Sequence, residues 1–307
     1  MLSILLAKEI FKLFLIMFIS LAATKLGLLK ADDASALSRI SLYFIVPCIL
    51  LTAYQVDFTA QVRNGLIISV AFGLLAHILF IGGTRMLKKP LRLDEVERAS
   101  VIYTNCGNLL IPLVAAVLGP EWVIFTIGYC TVQTVFLWTH CFSMFAGKGQ
   151  TSLKKILLNV NLITLPFGLF FLFTGFRLPE IINTPMESVG DMVGPVAMII
   201  NGMLMSKLSL RDIFFRKRIY LSFLLRMILF PAVILLIIKL LHLDTILPDS
   251  SEVLMIVLLC TAAPAASTVT QFAQLYDKEA SYASAINVMT TLTCIITLPV
   301  FVLIYQM

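Results

Sequence analysis

Two apolar stretches long enough to cross a membrane are each interrupted near the middle, and this restricts the folds open to the chain. Val101–Leu118 holds Asn105, Gly107, Asn108 and Pro112 in an otherwise apolar run. Leu254–Leu275 is broken around Pro264, with Ser267, Thr268 and Gln271 just after it. Proline donates no backbone N–H and its ring crowds the carbonyl four residues earlier; glycine weakens a helix further. In hydrocarbon the freed backbone groups find no water, so such breaks persist only where protein or a wet cavity supplies partners. Interrupted hydrophobic segments in corresponding positions of two halves point to the substrate site of a transporter.

Of the 307 residues, 60% are hydrophobic and only 13% charged, with a mean hydropathy of +0.99. Soluble domains carry about 25% charged residues, so the chain reads as an all-α integral membrane protein. Its apolar runs recur at roughly 20 residues, which suits helices; barrel strands would be about 10 residues long and alternating. The formal charge of +6 is explained by loop positions, given below, and needs no nucleic acid. Cys48, Cys106, Cys130, Cys141, Cys260 and Cys294 all fall in apolar segments, without CxxC or Cys/His spacing. They read as small core hydrophobes, and neither a metal nor a cofactor is expected. No cleavable signal peptide is expected either, since the first apolar run carries Lys8, Glu9 and Lys12 and lacks a small-residue cleavage site.

The hydropathy pattern predicts ten membrane helices, at about 4–24, 35–55, 64–86, 97–118, 121–145, 154–176, 185–206, 218–241, 252–275 and 279–305. The loops and helix ends after helices 1, 3, 5, 7 and 9 hold seventeen lysines and arginines, while the opposite side holds Arg63, Arg177 and Lys239. Positive loops stay in the cytoplasm, which places both termini outside. Helices 2 and 7 share Pro47 and Pro195, and helices 4 and 9 share Pro112 and Pro264, at offsets close to half the chain. Residues 1–150 and 151–307 are therefore expected to form two five-helix repeats. Five is an odd number, so the second repeat enters the bilayer from the other side, giving a 5+5 inverted repeat in which helices 4 and 9 cross.

Each break exposes N–H groups at the start of its second half, where the helix carries about half a positive charge. Such an end binds anions. Asn105, Asn108, Pro112, Pro264, Ser267, Thr268 and Gln271 are the expected substrate-binding residues. Both interrupted stretches, 99–118 and 254–275, lack any acid or base, so a carboxylate-driven ion pump is not expected. Asp191 and Arg226 are candidates for a gating or charge role, against the simpler alternatives of an interfacial helix-end charge and a snorkelling side chain. His77 reads as a buried, hydrogen-bonded histidine. Gln133, Asn201, Gly202 and Asn287 read as interhelical contacts.

The segments GLLKADDASALSRISLYFIVPCILL, TNCGNLLIPL, GPVAMIINGMLMS, LLRMILFPAV and TAAPAASTVTQFAQLYDKEASYASAI, in this order, resemble the auxin efflux carrier family. That family includes plant auxin exporters and bacterial carriers of the malate/malonate type. The resemblance covers essentially the whole chain and implies a fold shared with bile-acid sodium symporters and Na⁺/H⁺ antiporters. It implies a scaffold of helices 1, 2, 6 and 7 that forms a homodimer, and a mobile domain of helices 3–5 and 8–10. It also implies a carboxylate contact for Asn105, seven residues before Pro112, and matches Arg226 and Asp191 to family positions. The chain lacks the long insertion of the plant proteins between helices 5 and 6, and the proline that precedes the helix-4 asparagine, which favours a prokaryotic carrier.

The expected function is secondary transport of a small organic anion, a mono- or dicarboxylate, across the plasma membrane by an elevator motion. Its coupling ion, H⁺ or Na⁺, is left open. The alternative is a membrane ligand sensor built on a transporter fold. An enzyme is not expected, because no nucleophile–base pair, paired aspartates or HExxH lies at membrane depth. An ion channel is disfavoured by the absence of a charged ring or carbonyl-filter sequence.

Overall fold

The computed structural model describes residues 2–147, 160–209, 216–245 and 250–307. Regular structure among them is helical, apart from one isolated antiparallel bridge. In chain order the helices are α1 (Leu2–Lys25), α2 (Ala31–Ala53), α3 (Ala60–Leu87), α4a (Glu95–Ile102), α4b (Cys106–Val117) and α5 (Pro120–Ala146). After these come α6 (Val160–Thr174), α7 (Glu180–Ser206), α8 (Lys217–Leu240), α9a (Ser250–Ala262), α9b (Ser267–Leu275) and α10 (Ala280–Gln306). By length and composition α2, α3, α5, α7, α8 and α10 can each cross a membrane, and α4b, α6 and α9a are shorter apolar helices. The expected start of helix 6 at 154, and the loop cations Lys148, Lys154, Lys155 and Arg211, lie outside the described residues.

The prolines do not all break the chain. Pro47, Pro112 and Pro231 each stand second in an α-helical stretch that follows a π-helical turn, at Ser41–Ile45, Cys106–Leu110 and Leu224–Leu229. A π turn reaches back five residues instead of four. The wider loop accommodates the ring and the missing N–H without ending the helix. The expectation that α4 ends at Pro112 is therefore corrected: its interruption lies at Tyr103–Asn105, and Pro112 sits inside a continuous α4b. Pro264 behaves as expected. It excludes Ala263 before it from helical geometry, and α9a stops at Ala262. Helix α7 also differs from the unbroken span expected at 185–206. It starts at Glu180 and is divided by a turn at Asp191–Met192 into Glu180–Gly190 and Val193–Ser206.

Small residues bring helices close. On α7, a Cβ at Gly202 would collide with the Met17 carbonyl oxygen of α1. The Ser20 hydroxyl donates to the Ile199 carbonyl at 2.8 Å across the same contact. α2 packs on α6 and the first half of α7, and α3 packs on α5 and α9a. The starts of α4a, α8 and α10 are tied by the fully buried Glu97. Its carboxylate accepts from Arg218 Nε at 2.6 Å, Tyr282 Oη at 2.8 Å and the Asp94 N–H at 3.0 Å.

Gly202→Ala forces α1 and α7 apart at a backbone contact, and overpacking of this kind costs about 1–3 kcal/mol. The melting temperature of the purified protein in detergent is expected to fall by several degrees. Gly82→Ala in α3 has nothing within 4 Å and is expected to leave it unchanged or higher.

Candidate functional site at the helix crossing

The two interruptions meet. Thr104 pairs with Ala265 in an antiparallel bridge. The Asn105 N–H donates to the Pro264 carbonyl at 2.8 Å and the Ala266 N–H to the Tyr103 carbonyl at 3.0 Å. Tyr103 is extended, with φ −98° and ψ 134°, and leads the chain out of α4a into this single bridge. Side chains from neighbouring helices complete the pairing. Gln133 of α5 accepts from Thr104 N–H at 2.9 Å and from its hydroxyl at 2.8 Å, and donates to its carbonyl at 2.8 Å. From α10, Asn287 donates to the Ala265 carbonyl at 2.6 Å, and Thr290 Oγ1 accepts from the Ala265 N–H at 3.1 Å.

Four half-helix ends converge here. The carbonyl ends of α4a and α9a each carry about half a negative charge, and Arg226 of α8 sits between them, 0% exposed. Its guanidinium donates to Val101 O at 3.0 Å, Thr261 O at 2.5 Å and Ala263 O at 2.8 and 3.0 Å. None of the described ion pairs involves it. The planar fork of arginine suits three carbonyls converging from different directions.

The amide ends of α4b and α9b face a cavity of about 410 Å³, lined by Asn105, Asn108, Ser267, Thr268, Gln271 and Asn201. No acidic or basic side chain lines it among the described residues. Asn105 caps α4b and is 4% exposed; its Oδ1 accepts from Asn108 Nδ2 at 3.1 Å. Its Nδ2 keeps both hydrogens free of partners among the described residues, as do the side chains of Ser267, Thr268 and Gln271. An adjoining cavity of about 770 Å³ shares Asn105, Asn108 and Thr268 and reaches Cys130, Thr134 and Trp138. A third, of about 1530 Å³, shares Ser38, Ser267 and Gln271 and opens between Arg39, Asp32 and Lys207. There Lys207 Nζ is paired with Asp32 at 2.6 Å, while Arg39 is exposed and has no acidic partner among the described residues.

A sequence model of a family described as membrane transport protein, the auxin efflux carriers, matches the chain twice, over residues 5–155 and 149–302. The chain belongs to the auxin efflux carrier family. It is thus a multi-pass membrane transporter. No curated protein matches it.

In this carrier five of the seven expected binding residues, Asn105, Asn108, Ser267, Thr268 and Gln271, line one cavity. The other two do not. Pro112 packs against α7, where a Cβ at Gly194 would lie 2.8 Å from its Cγ, and Pro264 is buried in the backbone pairing. Arg226 is not a snorkelling side chain: it is 0% exposed and its guanidinium makes four hydrogen bonds to three backbone carbonyls deep in the protein. Asp191 is exposed at the α7 turn and lines none of the described cavities. His77 is buried as expected, its Nδ1 2.7 Å from the Gly73 carbonyl and its ring stacked on Phe136.

Gln133 and Asn287 are interhelical contacts as read from sequence, but Asn201 is not. Asn201 lines the cavity from α7, 3% exposed, and its Nδ2 has no partner. Ser38 and Ser41 of α2 join it on that wall. A buried amide without a partner costs about 1–3 kcal/mol. The only sequence signal for this wall was polar residues in apolar runs, which does not distinguish packing from binding.

Arg226→Gln cannot donate to all three carbonyls of Val101, Thr261 and Ala263, and each buried acceptor left unsatisfied costs about 1–3 kcal/mol. The variant is expected to lose most of its monodisperse fraction on size-exclusion chromatography, with Arg226→Lys intermediate. A glutamine variant as heat-resistant as the wild type would show that the helix ends hold together without the guanidinium.

Proposed function

We propose that this carrier moves a small organic anion across the plasma membrane by secondary transport, through an elevator-type motion rather than by chemical catalysis. One observation carries the proposal: two half-helix amide ends and eight neutral hydrogen-bonding side chains share a cavity with no carboxylate among its described lining residues. Amide ends with uncompensated positive partial charge attract a carboxylate. Uncharged donors hold it without adding a second buried charge. Arg39 at the wide opening, without an acidic partner among the described residues, favours entry of anions.

In this proposal the helices form a 5+5 inverted repeat, consistent with the antiparallel sense in which α4 and α9 pair. Helices α3–α5 and α8–α10 form the mobile domain, and α1, α2, α6 and α7 the scaffold of a homodimer with both termini outside. The opening between Asp32, Arg39 and Lys207 lies on the cation-rich side and faces the cytoplasm. The cavity then has two walls of different fate. Asn105, Asn108, Ser267, Thr268 and Gln271 travel with the substrate, whereas Asn201, Ser38 and Ser41 stay behind.

Purified protein in liposomes, assayed over a panel of labelled mono- and dicarboxylates, tests the proposal. For a transported acid, Asn105→Ala is expected to raise KM about tenfold or more, since hydrogen bonds to a charged group contribute about 1.5–3 kcal/mol. Unchanged affinity would remove Asn105 from the site, and absence of flux for every acid would remove the function. Asn201→Ala is expected to raise KM from the cytoplasmic face and leave the opposite face unaffected. An equal effect on both faces would contradict the fixed wall.

A further inference from the structure

Cys106 and Cys130 are the two cysteines that the crossing brings together. Cys106 opens the π turn of α4b and Cys130 lies on α5, with their sulfurs 3.1 Å apart. The other four cysteines make no thiol–thiol contact among the described residues. Exposure within the pair is unequal. Cys106 is 0% exposed, while Cys130 is partly exposed and lines the cavity of about 770 Å³ beside Asn105 and Asn108. Gln133 Nε2 also reaches Cys106 Sγ, at 3.3 Å, while holding the backbone of Thr104.

We propose that Cys106 and Cys130 form an oxidisable dithiol in the cavity wall, a modification site for small hydroperoxides and for trivalent arsenicals. Cys130 meets the reagent first because it faces the cavity. Its thiolate attacks the outer oxygen of a hydroperoxide, the O–O bond breaks, and the peroxide leaves as an alcohol while Cys130 becomes a sulfenic acid. Cys106 then attacks that sulfur, the S–O bond breaks and water departs, leaving a disulfide. The pair loses two electrons and two protons, and the hydroperoxide is reduced to one alcohol and one water. Bonding requires the sulfurs to approach by about 1 Å, to the usual separation near 2.05 Å. Gln133, which touches Cys106 and supports Thr104 next to Asn105, lies against the bond that forms. A trivalent arsenical instead bridges the two sulfurs as they stand, forming two As–S bonds and releasing water or hydroxide.

The dithiol stands on the sulfur geometry alone and does not depend on the transported substrate. The full-length protein in detergent is treated with tert-butyl hydroperoxide, alkylated, digested and analysed by mass spectrometry. The expected product is a Cys106–Cys130 linked peptide that dithiothreitol releases. Phenylarsine oxide is expected to bind once per chain, to block that linkage, and to lose its binding in both Cys106→Ser and Cys130→Ser, but not in Cys48→Ser. Melting temperatures of the serine variants establish that they are folded; if one is not, the alanine variant replaces it. Oxidation of Cys130 without linkage, or arsenical binding that survives both substitutions, would overturn the proposal. So would a linkage that forms only after denaturation in SDS.

Discussion

The backbone pairing of Thr104 with Ala265 is the constraint from which the rest of the architecture follows. Two interrupted helices inside an apolar protein would strand amides and carbonyls that no solvent can reach. Here each broken chain serves as the other's hydrogen-bonding partner, and Gln133, Asn287 and Thr290 satisfy much of what remains. Arg226 then removes the repulsion between two converging carbonyl ends. With one pair of ends neutralised, the opposite pair keeps its positive character and faces open space. The two sides of the junction are thus unlike: one is closed by the guanidinium and the other opens on a cavity.

Much of this architecture was legible in the chain, for reasons that differ residue by residue. The two interrupted stretches were visible because asparagine, glycine and proline are costly in apolar runs. Pro264 marked its break correctly because a proline dictates the conformation of the residue before it. Pro112 misled, since a π turn absorbs the same ring, and no local pattern distinguishes a proline that ends a helix from one that follows a widened turn. The interruption at Tyr103–Asn105 is instead imposed from 160 positions away, by pairing with Pro264–Ala266, and such long-range partners leave no periodic trace.

Polar residues within apolar runs were equally ambiguous. Gln133, Asn287 and Asn201 look alike in sequence, yet two of them bind backbone at the junction and the third faces a cavity. What separates them is whether a neighbouring carbonyl or amide has already been satisfied, and only the packed structure decides that. Arg226 illustrates the converse. A lone cation at membrane depth suggests traffic of charge, but its guanidinium is bound to three backbone oxygens at the helix ends. The pairing of Cys106 with Cys130 was likewise hidden, because 24 residues separate them and neither lies in a recognised thiol motif.

The neutral lining of the cavity has one more consequence. Among the described residues only serine, threonine, asparagine, glutamine and aliphatic side chains line the smaller chamber, so its wall holds no carboxylate, imidazole or amine. For a guest of the kind proposed, acidity in the surrounding medium would then act on this lining through the guest's own ionisation, and the chamber would discriminate among acids by how readily each one gives up its proton.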